Sequence, residues 1–288
     1  MITLIVNPTA GTGLALKVTE QLKAALTEKR IPFRIWLTER PGHATELARK
    51  AAADPECGAV WSVGGDGTGF ETACGMAGTG KPFGMIPAGT GNDFIKSLQT
   101  PREPMAAMDF ILSHEPRPVD IGVLNGGSFL NVCGTGFDVT VLDYAASLKA
   151  RFKGLTPYLL GLIKAIRHAR PFRVTLEVDG ERLERELMIC TVANGRFIGG
   201  GIPICPAAEP GDGLLDLVMV RSQSRLQIVR RLPGLLTGRI LNWSITEHRL
   251  CREVRILDSG LRYNVDGEIL SMDAPCFGVR PGGLLMYW

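Results

Sequence analysis

Hydrophobic and polar positions in the first part of the chain alternate between two spacings. Short apolar runs, or apolar residues at every second position, predict strands over residues 2–6, 33–37, 59–63 and 83–86. Leu14, Val18, Leu22 and Leu26 recur at helical spacing, and residues 44–53 have a similar pattern. This alternation of strands and helices predicts an α/β domain with a parallel sheet.

The pattern changes after Pro116 and Pro118. Strands are predicted over residues 173–178, 187–192, 214–220, 252–257, 261–265 and 284–287, and helices over 142–167 and 226–236. We therefore expect an α/β domain over residues 1–121 and a mainly β domain over residues 122–288. The last predicted strand, residues 284–287, could instead belong to the first domain.

Composition narrows the class of protein. The 288 residues are 45% hydrophobic and 21% charged, which is typical of a globular protein and excludes general disorder. The net charge of +3 is too small by itself to indicate a nucleic-acid partner. Seven scattered cysteines without a C-x-x-C pair argue against a disulfide framework and against a zinc site. We expect a soluble, cytoplasmic protein.

Glycine makes up 35 of the 288 residues, about 12% against roughly 7% in average usage. Glycines cluster after three predicted strands, at residues 11–13, 64–69 and 89–91. Loops at the carboxyl ends of parallel strands line one edge of a sheet, where ligands of α/β proteins bind. Glycine lets phosphate oxygens approach backbone amides, so the loops indicate phosphate binding. The alternative is a set of tight turns.

Asp66 lies inside the second glycine loop. A carboxylate repels phosphate unless a cation intervenes, so Asp66 indicates a magnesium-bound nucleotide. Asp93 and Asp120 are candidates to join this site, directly or through metal-bound water. Their alternative roles are a helix cap for Asp93 and a strand end for Asp120. The chain contains neither a P-loop motif nor a complete G-x-G-x-x-G after a strand.

Five strings occur in order along the chain: Asn7-Pro8-Thr9-Ala10-Gly11, Gly64-Gly65-Asp66-Gly67-Thr68, Pro87-Ala88-Gly89-Thr90-Gly91-Asn92-Asp93, Asp212-Gly213-Leu214-Leu215-Asp216 and Asn264-Val265-Asp266-Gly267-Glu268. Their combination resembles the diacylglycerol kinase catalytic-domain family of bacterial lipid kinases. The resemblance implies an α/β nucleotide-binding domain, a β-sandwich-like second domain and an active site in the cleft between them. Gly-Gly-Asp-Gly-Thr alone is also similar to NAD kinase.

The resemblance implies a set of nucleotide-binding residues at the ends of the first-domain strands. They are Asn7, Pro8, Thr9, Ala10, Gly11, Thr38, Gly64, Gly65, Asp66, Gly67, Thr68, Gly69, Phe70 and Thr90. Phe70 departs from the family, which often has asparagine there, so a side-chain amide contact is lost. Glu71 keeps its register.

Three acidic residues are the candidate catalytic groups: Glu268, Asp266 and Asp66. The resemblance assigns Glu268 as the base that accepts the substrate's hydroxyl proton, with Asp266 as its competitor. Val-Asp-Gly-Glu occurs twice, at residues 178–181 and 265–268, and Asp-Gly between strands is a hairpin signal. The tetrapeptide is therefore weak evidence by itself, and the first copy is interpreted as a hairpin.

A second, structural magnesium site is implied by the resemblance. Glu209 and Leu214 would supply main-chain carbonyls and Asp212 a carboxylate, an oxygen set that suits a hard cation. The alternative is a plain Pro-Gly-Asp-Gly turn.

Basic residues of the second domain fall in two stretches that lack acidic residues. They are Lys149, Arg151, Lys153, Lys164, Arg167, Arg170 and Arg173, and Arg221, Arg225, Arg230, Arg231 and Arg239. Apolar residues are interleaved, among them Phe152, Leu155, Tyr158, Leu159, Leu162, Leu232, Leu235 and Leu236. The pattern favours an anionic membrane surface over nucleic acid. The alternative is a solvated face over a core.

The combined interpretation is an ATP- and magnesium-dependent lipid kinase that phosphorylates the hydroxyl of a membrane lipid, with diacylglycerol as the leading acceptor. The expected location is the cytoplasm, with peripheral association to the inner face of the membrane, and a homodimer is left open. Two alternatives remain: a kinase of a soluble metabolite such as NAD, and a nucleotide-binding regulator without transfer activity.

Overall fold

The computed structural model describes residues 1–148 and 156–288, and only the backbone of Tyr158 and Leu159. The chain divides into two units. Unit 1 comprises residues 1–121 and 281–288, and unit 2 comprises residues 122–280.

Unit 1 is an α/β unit with a parallel sheet, as predicted. Its elements are β1 (Ile2–Val6), α1 (Leu14–Glu28), β2 (Phe33–Leu37), α2 (His43–Ala53), β3 (Ala59–Gly64), α3 (Asp66–Met76), β4 (Pro82–Pro87), α4 (Pro104–Ser113) and the start of β5 (Arg117–Leu124). Parallel strands lie in the order β4, β3, β1, β2. Val18, Leu22 and Leu26 bury one face of α1 against this sheet, at the spacing seen in the sequence.

The sequence pattern did not predict helices α3 and α4. Gly67, Gly69 and Gly75 lower the helix propensity of α3. Gly75 also lets α3 pack closely against α2, because an added Cβ would lie 2.5 Å from the Cβ of Ala48. Helix α4 is capped by Glu103, whose carboxylate accepts from the amides of Met105 and Ala106.

Unit 2 is mainly β, also as predicted. Its elements are β6 (Gly127–Phe129), β7 (Val132–Gly136), α5 (Phe137–Leu148), α6 (Thr156–His168), β8 (Phe172–Val178), β9 (Glu181–Ala193), β10 (Phe197–Ile198), β11 (Ile202–Pro203), β12 (Leu215–Arg221), α7 (Arg225–Leu236), β13 (Thr246–Cys251), β14 (Glu253–Ile256), β15 (Leu261–Val265), β16 (Glu268–Met272) and the start of β17 (Cys276–Met286). The end of β17 belongs to unit 1, where Leu285 and Met286 pair in parallel with β4.

Alternation along β12 separates two apolar cores of unit 2. Leu215, Leu217 and Met219 enter one core, while Val218 and Val220 enter the other, which packs under the helices. The prediction of one helix over residues 142–167 is wrong at its start, because α5 begins at Phe137. The described chain has two helices there, α5 and α6, on either side of residues 149–155. Basic residues 149, 151 and 153 and apolar residues 152 and 155 lie outside the described residues.

Both Val-Asp-Gly-Glu copies form two-residue hairpins. Asp179 and Gly180 join β8 to β9, and Asp266 and Gly267 join β15 to β16. All four turn residues have positive φ, between 47° and 97°, as the preferred hairpin turn requires. The first copy was predicted as a hairpin, and the second has the same backbone form.

Candidate functional site

Three loops of unit 1 lie at one edge of its sheet. Strands β1, β3 and β4 run parallel, with Val6 beside Val63 and Gly64 beside Pro87, so the loops that follow them start level with each other. The amide of Thr38, just after β2, donates to the carbonyl of Val6 at 2.9 Å. The edge therefore gathers the carboxyl ends of four parallel strands, where α/β proteins bind ligands.

The glycines of these loops allow backbone segments to touch. A Cβ added to Gly11 would lie 2.3 Å from the carbonyl oxygen of Ala88, and one added to Gly89 would lie 2.2 Å from the Cα of Gly65. Gly11 also has a positive φ of 59°. By contrast, a Cβ on Gly67 would meet nothing within 4 Å. Gly11 and Gly89 therefore allow the loops to pack closely against each other. The space beside Gly67 leaves the start of α3 accessible to a ligand.

Replacing Gly89 by alanine is expected to destabilise the protein by about 1–3 kcal/mol, the usual cost of forcing extra atoms into a packed position. The new Cβ would clash with backbone at Gly65, which cannot rotate away as a side chain does. Urea unfolding measures the loss. Gly58→Ala is the matched control, because its nearest atoms lie 3.8 Å away. Equal midpoints for the two variants would contradict the close packing of the loops.

Asp66 occupies the first turn of α3. Its Oδ1 accepts from the amides of Asp93 at 2.5 Å and Phe94 at 3.2 Å, and its Oδ2 lies 2.7 Å from the position of a Cβ on Gly91. Burial raises the pKa of Asp66, and the charge of Asp93 raises it further. The carboxylate is thus fixed by backbone and presents its second oxygen to the third glycine loop.

Asp93 and Asp120 have partners within unit 1. Lys96 donates to Asp93 at 2.7 Å, and Asp120 accepts from the amide of Gly282 at 2.7 Å. Among the described residues, the carboxylate oxygens of Asp66, Asp93 and Asp120 do not all lie within 4.8 Å of one another. Asp93 and Asp120 are buried. The carboxylate of Asp93 does not cap the short helix that follows it.

The remaining predicted nucleotide residues lie along the same edge. Oδ1 of Asn7 accepts from both the amide and the hydroxyl of Thr9, at 3.1 and 2.9 Å, which folds the first loop around Pro8. Thr90 is exposed, whereas Thr68 is buried inside α3. Ala10, Gly11, Gly64, Gly65, Gly67, Gly69 and half-buried Phe70 belong to the three loops or to α3.

Glu71 has a structural role. Its carboxylate accepts from the amides of Gly42 at 2.9 Å and Ala44 at 3.1 Å, at the start of α2. Helix N-termini have unsatisfied amides, and here a side chain from α3 satisfies two of them. The sequence carries no local signal for this cap, because Glu71 lies 29 residues from Gly42.

The two candidate bases of unit 2 differ in their surroundings. Both oxygens of Asp266 accept backbone hydrogen bonds, from Leu130 at 2.6 Å and from Asn131 and Val132 at 2.9 Å. Glu268 is exposed at the start of β16. Asp266 therefore anchors its hairpin to the segment before β7, and Glu268 presents its carboxylate to solvent.

A pocket lies within unit 2. Its wall is mostly apolar, with Phe137, Val141, Leu162 and Ile189 among the lining residues. The polar lining residues are Asp138 and Asn264. This lining suits an apolar group of a ligand.

Asp138 is the unusual group of this pocket. It is buried, and its Oδ1 has no hydrogen-bond partner among the described residues. Burial raises the pKa of Asp138 to about 6. Asn264 links this carboxyl to the second hairpin, because Nδ2 of Asn264 donates to Asp138 at 3.4 Å and Oδ1 accepts from the amide of Gly267 at 2.9 Å. The pocket wall is therefore connected to the turn that precedes Glu268.

The segment proposed for a second magnesium forms a hydrogen-bonded turn. The Glu209 carbonyl accepts from the amides of Gly211 at 2.6 Å and Asp212 at 3.3 Å, and Asp212 accepts from the amide of Leu214 at 2.9 Å. The Pro-Gly-Asp-Gly turn, which was the alternative interpretation of this segment, is therefore formed. The structural magnesium site stays a prediction.

Helix α7 presents apolar and basic side chains to solvent. Leu226 is 60% exposed and Val229 is 50% exposed, beside exposed Arg225 and Arg230. In part of the two basic stretches, the apolar residues face the core and the basic residues face solvent. Leu162 and Leu235 are buried, whereas Lys164 is exposed. No helix in the described residues is long and apolar enough to span a membrane.

Comparison with known proteins covers the whole chain. Residues 1–124 match the family model described as "Diacylglycerol kinase catalytic domain", and residues 131–287 match "YegS C-terminal NAD kinase beta sandwich-like domain". The second match confirms the predicted β-sandwich-like domain.

Relatives and a solved structure agree with the family models. The diacylglycerol kinase of Mycobacterium tuberculosis is 30% identical over 274 residues, 93% of this chain and 88% of the relative. The "Probable lipid kinase YegS-like" of Pseudomonas fluorescens is 30% identical over 94% of this chain and 91% of its own length. A crystal structure of a diacylglycerol kinase from Bacillus anthracis has a TM-score of 0.79 and 28% identity, covering 100% of this chain and 96% of that one. The chain thus belongs to the family of diacylglycerol kinases and YegS-like lipid kinases, whose members are kinase-type phosphotransferases.

Proposed function

We propose that this kinase transfers the γ-phosphoryl group of ATP to the hydroxyl of a membrane lipid, with magnesium as cofactor and diacylglycerol as the leading acceptor. The observation that carries this proposal is the apolar pocket of unit 2, whose buried Asp138 is linked through Asn264 to the turn before Glu268. An apolar wall with few polar groups suits an acyl chain better than a nicotinamide dinucleotide.

The three glycine loops at the edge of the unit 1 sheet support the proposal that this protein binds a nucleotide. Backbone amides at glycines and the N-terminus of α3 favour phosphate oxygens. Magnesium, when bound, neutralises charge on the β- and γ-phosphates. Asp66 fits this cation, because its Oδ2 faces the Gly91 loop and carboxylate oxygen is a preferred ligand of magnesium. Asp93 and Asp120 would act on the same ion through water, as the sequence allowed.

Glu268 is our candidate for the base. During transfer, the lipid oxygen forms a bond to the γ-phosphorus, the bond from that phosphorus to the β–γ bridging oxygen breaks, and the hydroxyl proton needs an acceptor. An exposed carboxylate can take this proton. Asp266 is a weaker candidate, because both of its oxygens already accept amides.

A lipid panel tests the proposal. The purified protein is incubated with γ-labelled ATP, magnesium and vesicles that contain one candidate lipid each, with NAD in solution as the control acceptor. Label is expected in diacylglycerol. Label in NAD alone would overturn the proposal, and label in another lipid would correct the acceptor.

Asp138→Asn is expected to increase stability and reduce acceptor use. Burial raises the pKa of Asp138 in the folded protein to about 6, above the usual 3.8, so the folded state binds this proton more tightly than the unfolded state does. Stability therefore falls as the pH rises from about 4 to about 6, and a neutral asparagine removes up to about 3 kcal/mol of this loss. Urea unfolding should show a more stable variant at about pH 8 and little difference at about pH 4.

In the same variant, kcat/KM for the lipid is expected to fall about 10- to 100-fold, the worth of a hydrogen bond from the acceptor to a buried carboxyl. Ile189→Val, also in the pocket wall, is the control for a change of packing without a change of charge. Unchanged kcat/KM in Asp138→Asn would contradict a role in acceptor binding.

Binding to anionic membranes is expected to depend on α7. Arg225 and Arg230 make no ion pair with any residue that the structure describes, and they flank the exposed Leu226 and Val229. Replacing both arginines by glutamine should weaken sedimentation with anionic vesicles about 30-fold, at about 1 kcal/mol for each basic residue.

The matched control for α7 is the pair Arg182→Gln and Arg252→Gln, which removes two exposed charges elsewhere in unit 2. Equal weakening by the two pairs, or equal binding of the unmodified protein to neutral vesicles, would count against α7 as the membrane-binding surface.

A further inference from the structure

A cysteine, an aspartate and a histidine meet in unit 2, and none of the three lines the apolar pocket. Cys205 follows β11, Asp216 lies on β12 and His248 lies on β13. Their sulfur, oxygen and nitrogen atoms all lie within 4.8 Å of one another. Among the described residues, this is the group of three or more His, Cys, Asp or Glu that could hold a metal ion.

Strand pairing fixes two of the three ligands. Strands β12 and β13 are antiparallel, with Val218 opposite His248, so Asp216 lies diagonal to His248 on the same face. Nε2 of His248 lies 2.6 Å from Oδ1 of Asp216. The loop after β11 then brings Cys205 to this face, since Cys205 packs in the same core as Val218 and Val220.

The burial of these groups calls for a balancing charge. Cys205 is fully buried and Asp216 is 2% exposed, within the apolar core beneath the helices. A buried carboxylate is costly unless it is paired or bound to a metal. In the metal-free protein, a hydrogen bond to His248 and the thiol proton of Cys205 meet this need. A divalent cation would replace both protons and neutralise the carboxylate and the thiolate together.

We propose that Cys205, Asp216 and His248 form a zinc-binding site that ties β12, β13 and the loop after β11 together. Thiolate, imidazole and carboxylate are the three ligand types of zinc, and a thiolate selects against magnesium. Three protein ligands leave one position of the tetrahedron for water. The side chain of His248 is 27% exposed, so the ion enters from that side.

This site differs from the one proposed for the nucleotide in both chemistry and position. The ligands near Asp66 are oxygens, which suit magnesium, while this cluster contributes sulfur and nitrogen as well. The inference is therefore independent of the proposed function. An enzyme that phosphorylates no lipid would still bind zinc here, and an active lipid kinase without zinc would leave the proposed function intact.

Cobalt serves as the spectroscopic probe for zinc. The full-length protein, stripped with a chelator, is titrated with Co²⁺ and then with Zn²⁺. We expect one equivalent of cobalt to bind with a thiolate-to-cobalt charge-transfer band and the visible bands of tetrahedral cobalt, and zinc to abolish both. The melting temperature should rise with zinc. Absence of the charge-transfer band would overturn the proposal, since a hydrogen-bonded cluster alone explains the geometry.

Variants assign the ligands. Cys205→Ser should abolish the charge-transfer band, and His248→Gln should weaken cobalt binding more than tenfold. Cys276→Ser, which removes a partly exposed thiol, and His168→Gln, which removes an exposed imidazole, are the matched controls and should bind cobalt as the unmodified protein does. If Cys205→Ser fails to fold, the test rests on His248→Gln, because the side chain of His248 is partly exposed. Unchanged cobalt affinity in His248→Gln, or loss of the band in Cys276→Ser, would overturn the assignment.

Discussion

Glu268→Gln is expected to lower the rate of phosphoryl transfer by about 10²- to 10⁴-fold, the range that a positioned base contributes. Glutamine keeps the size of the side chain but cannot accept the hydroxyl proton. Glu268 is exposed at the first position of β16, so the folded state should tolerate the change. ATP binding is expected to stay largely intact, because the predicted nucleotide residues are in unit 1. Steady-state kinetics and ATP titration measure the two effects separately.

The chain supplies a matched control for this variant. Glu181 occupies the same position in the first Val-Asp-Gly-Glu hairpin, opposite Val178 as Glu268 is opposite Val265. Glu181→Gln removes one ion pair with Arg249 on the surface, which is worth little. We expect it to retain full activity. Near-normal turnover in Glu268→Gln, or an equal loss in Glu181→Gln, would exclude Glu268 as the base.

Asp66→Asn is expected to reduce phosphoryl transfer by about 10²- to 10³-fold, which is the effect of removing one charge-stabilising group at a reaction centre. Asparagine retains a side-chain oxygen that can accept the amides of Asp93 and Phe94, so the loops should keep their form. It loses the negative charge that a magnesium ion needs. Because burial and Asp93 raise the pKa of Asp66, removing its charge should leave stability unchanged or higher.

Asp109→Asn on α4 is the control for Asp66→Asn. Its carboxylate is exposed and lies 3.9 Å from Lys29, a contact of small energetic value. Activity should be unchanged in this variant. Should Asp66→Asn keep its activity, or lose activity and folding together, the proposed role in holding magnesium would be contradicted.

Much of unit 1 follows from its sequence because local pattern and tertiary structure agree there. The four parallel strands of its sheet coincide with apolar runs, and α1 buries the face that the spacing of Val18, Leu22 and Leu26 indicates. Positions of glycine revealed the loop edge, since a glycine after each strand is needed where backbone meets backbone. Helix α3 was not predicted, because Gly67, Gly69 and Gly75 lower its helix propensity.

Contacts between distant residues account for what the sequence did not reveal. Asp266 accepts amides more than 130 residues away, and Asn264 links the pocket to the second hairpin across a similar distance. Neither contact has a local signal. The pocket also depends on α5, α6 and α7 packing together, which no single stretch encodes. The letters Val-Asp-Gly-Glu predicted the first hairpin but could not distinguish the roles of the two copies.

The cysteines also show that contacts between distant residues leave no local signal in the sequence. Their spacing argued against zinc because metal motifs in sequence rely on ligands a few residues apart. Cys205, Asp216 and His248 are instead brought together by a loop and two paired strands. If the cobalt titration succeeds, the prediction from spacing was wrong for this reason.

The central claim is that this protein transfers the γ-phosphoryl group of ATP directly to the hydroxyl of a lipid. The measurement that tests it most directly compares the amount of ADP released with the amount of phosphorylated lipid formed, on vesicles that contain diacylglycerol. We predict one phosphatidic acid for each ADP, with both dependent on magnesium. Release of ADP without phosphorylated lipid would contradict the account.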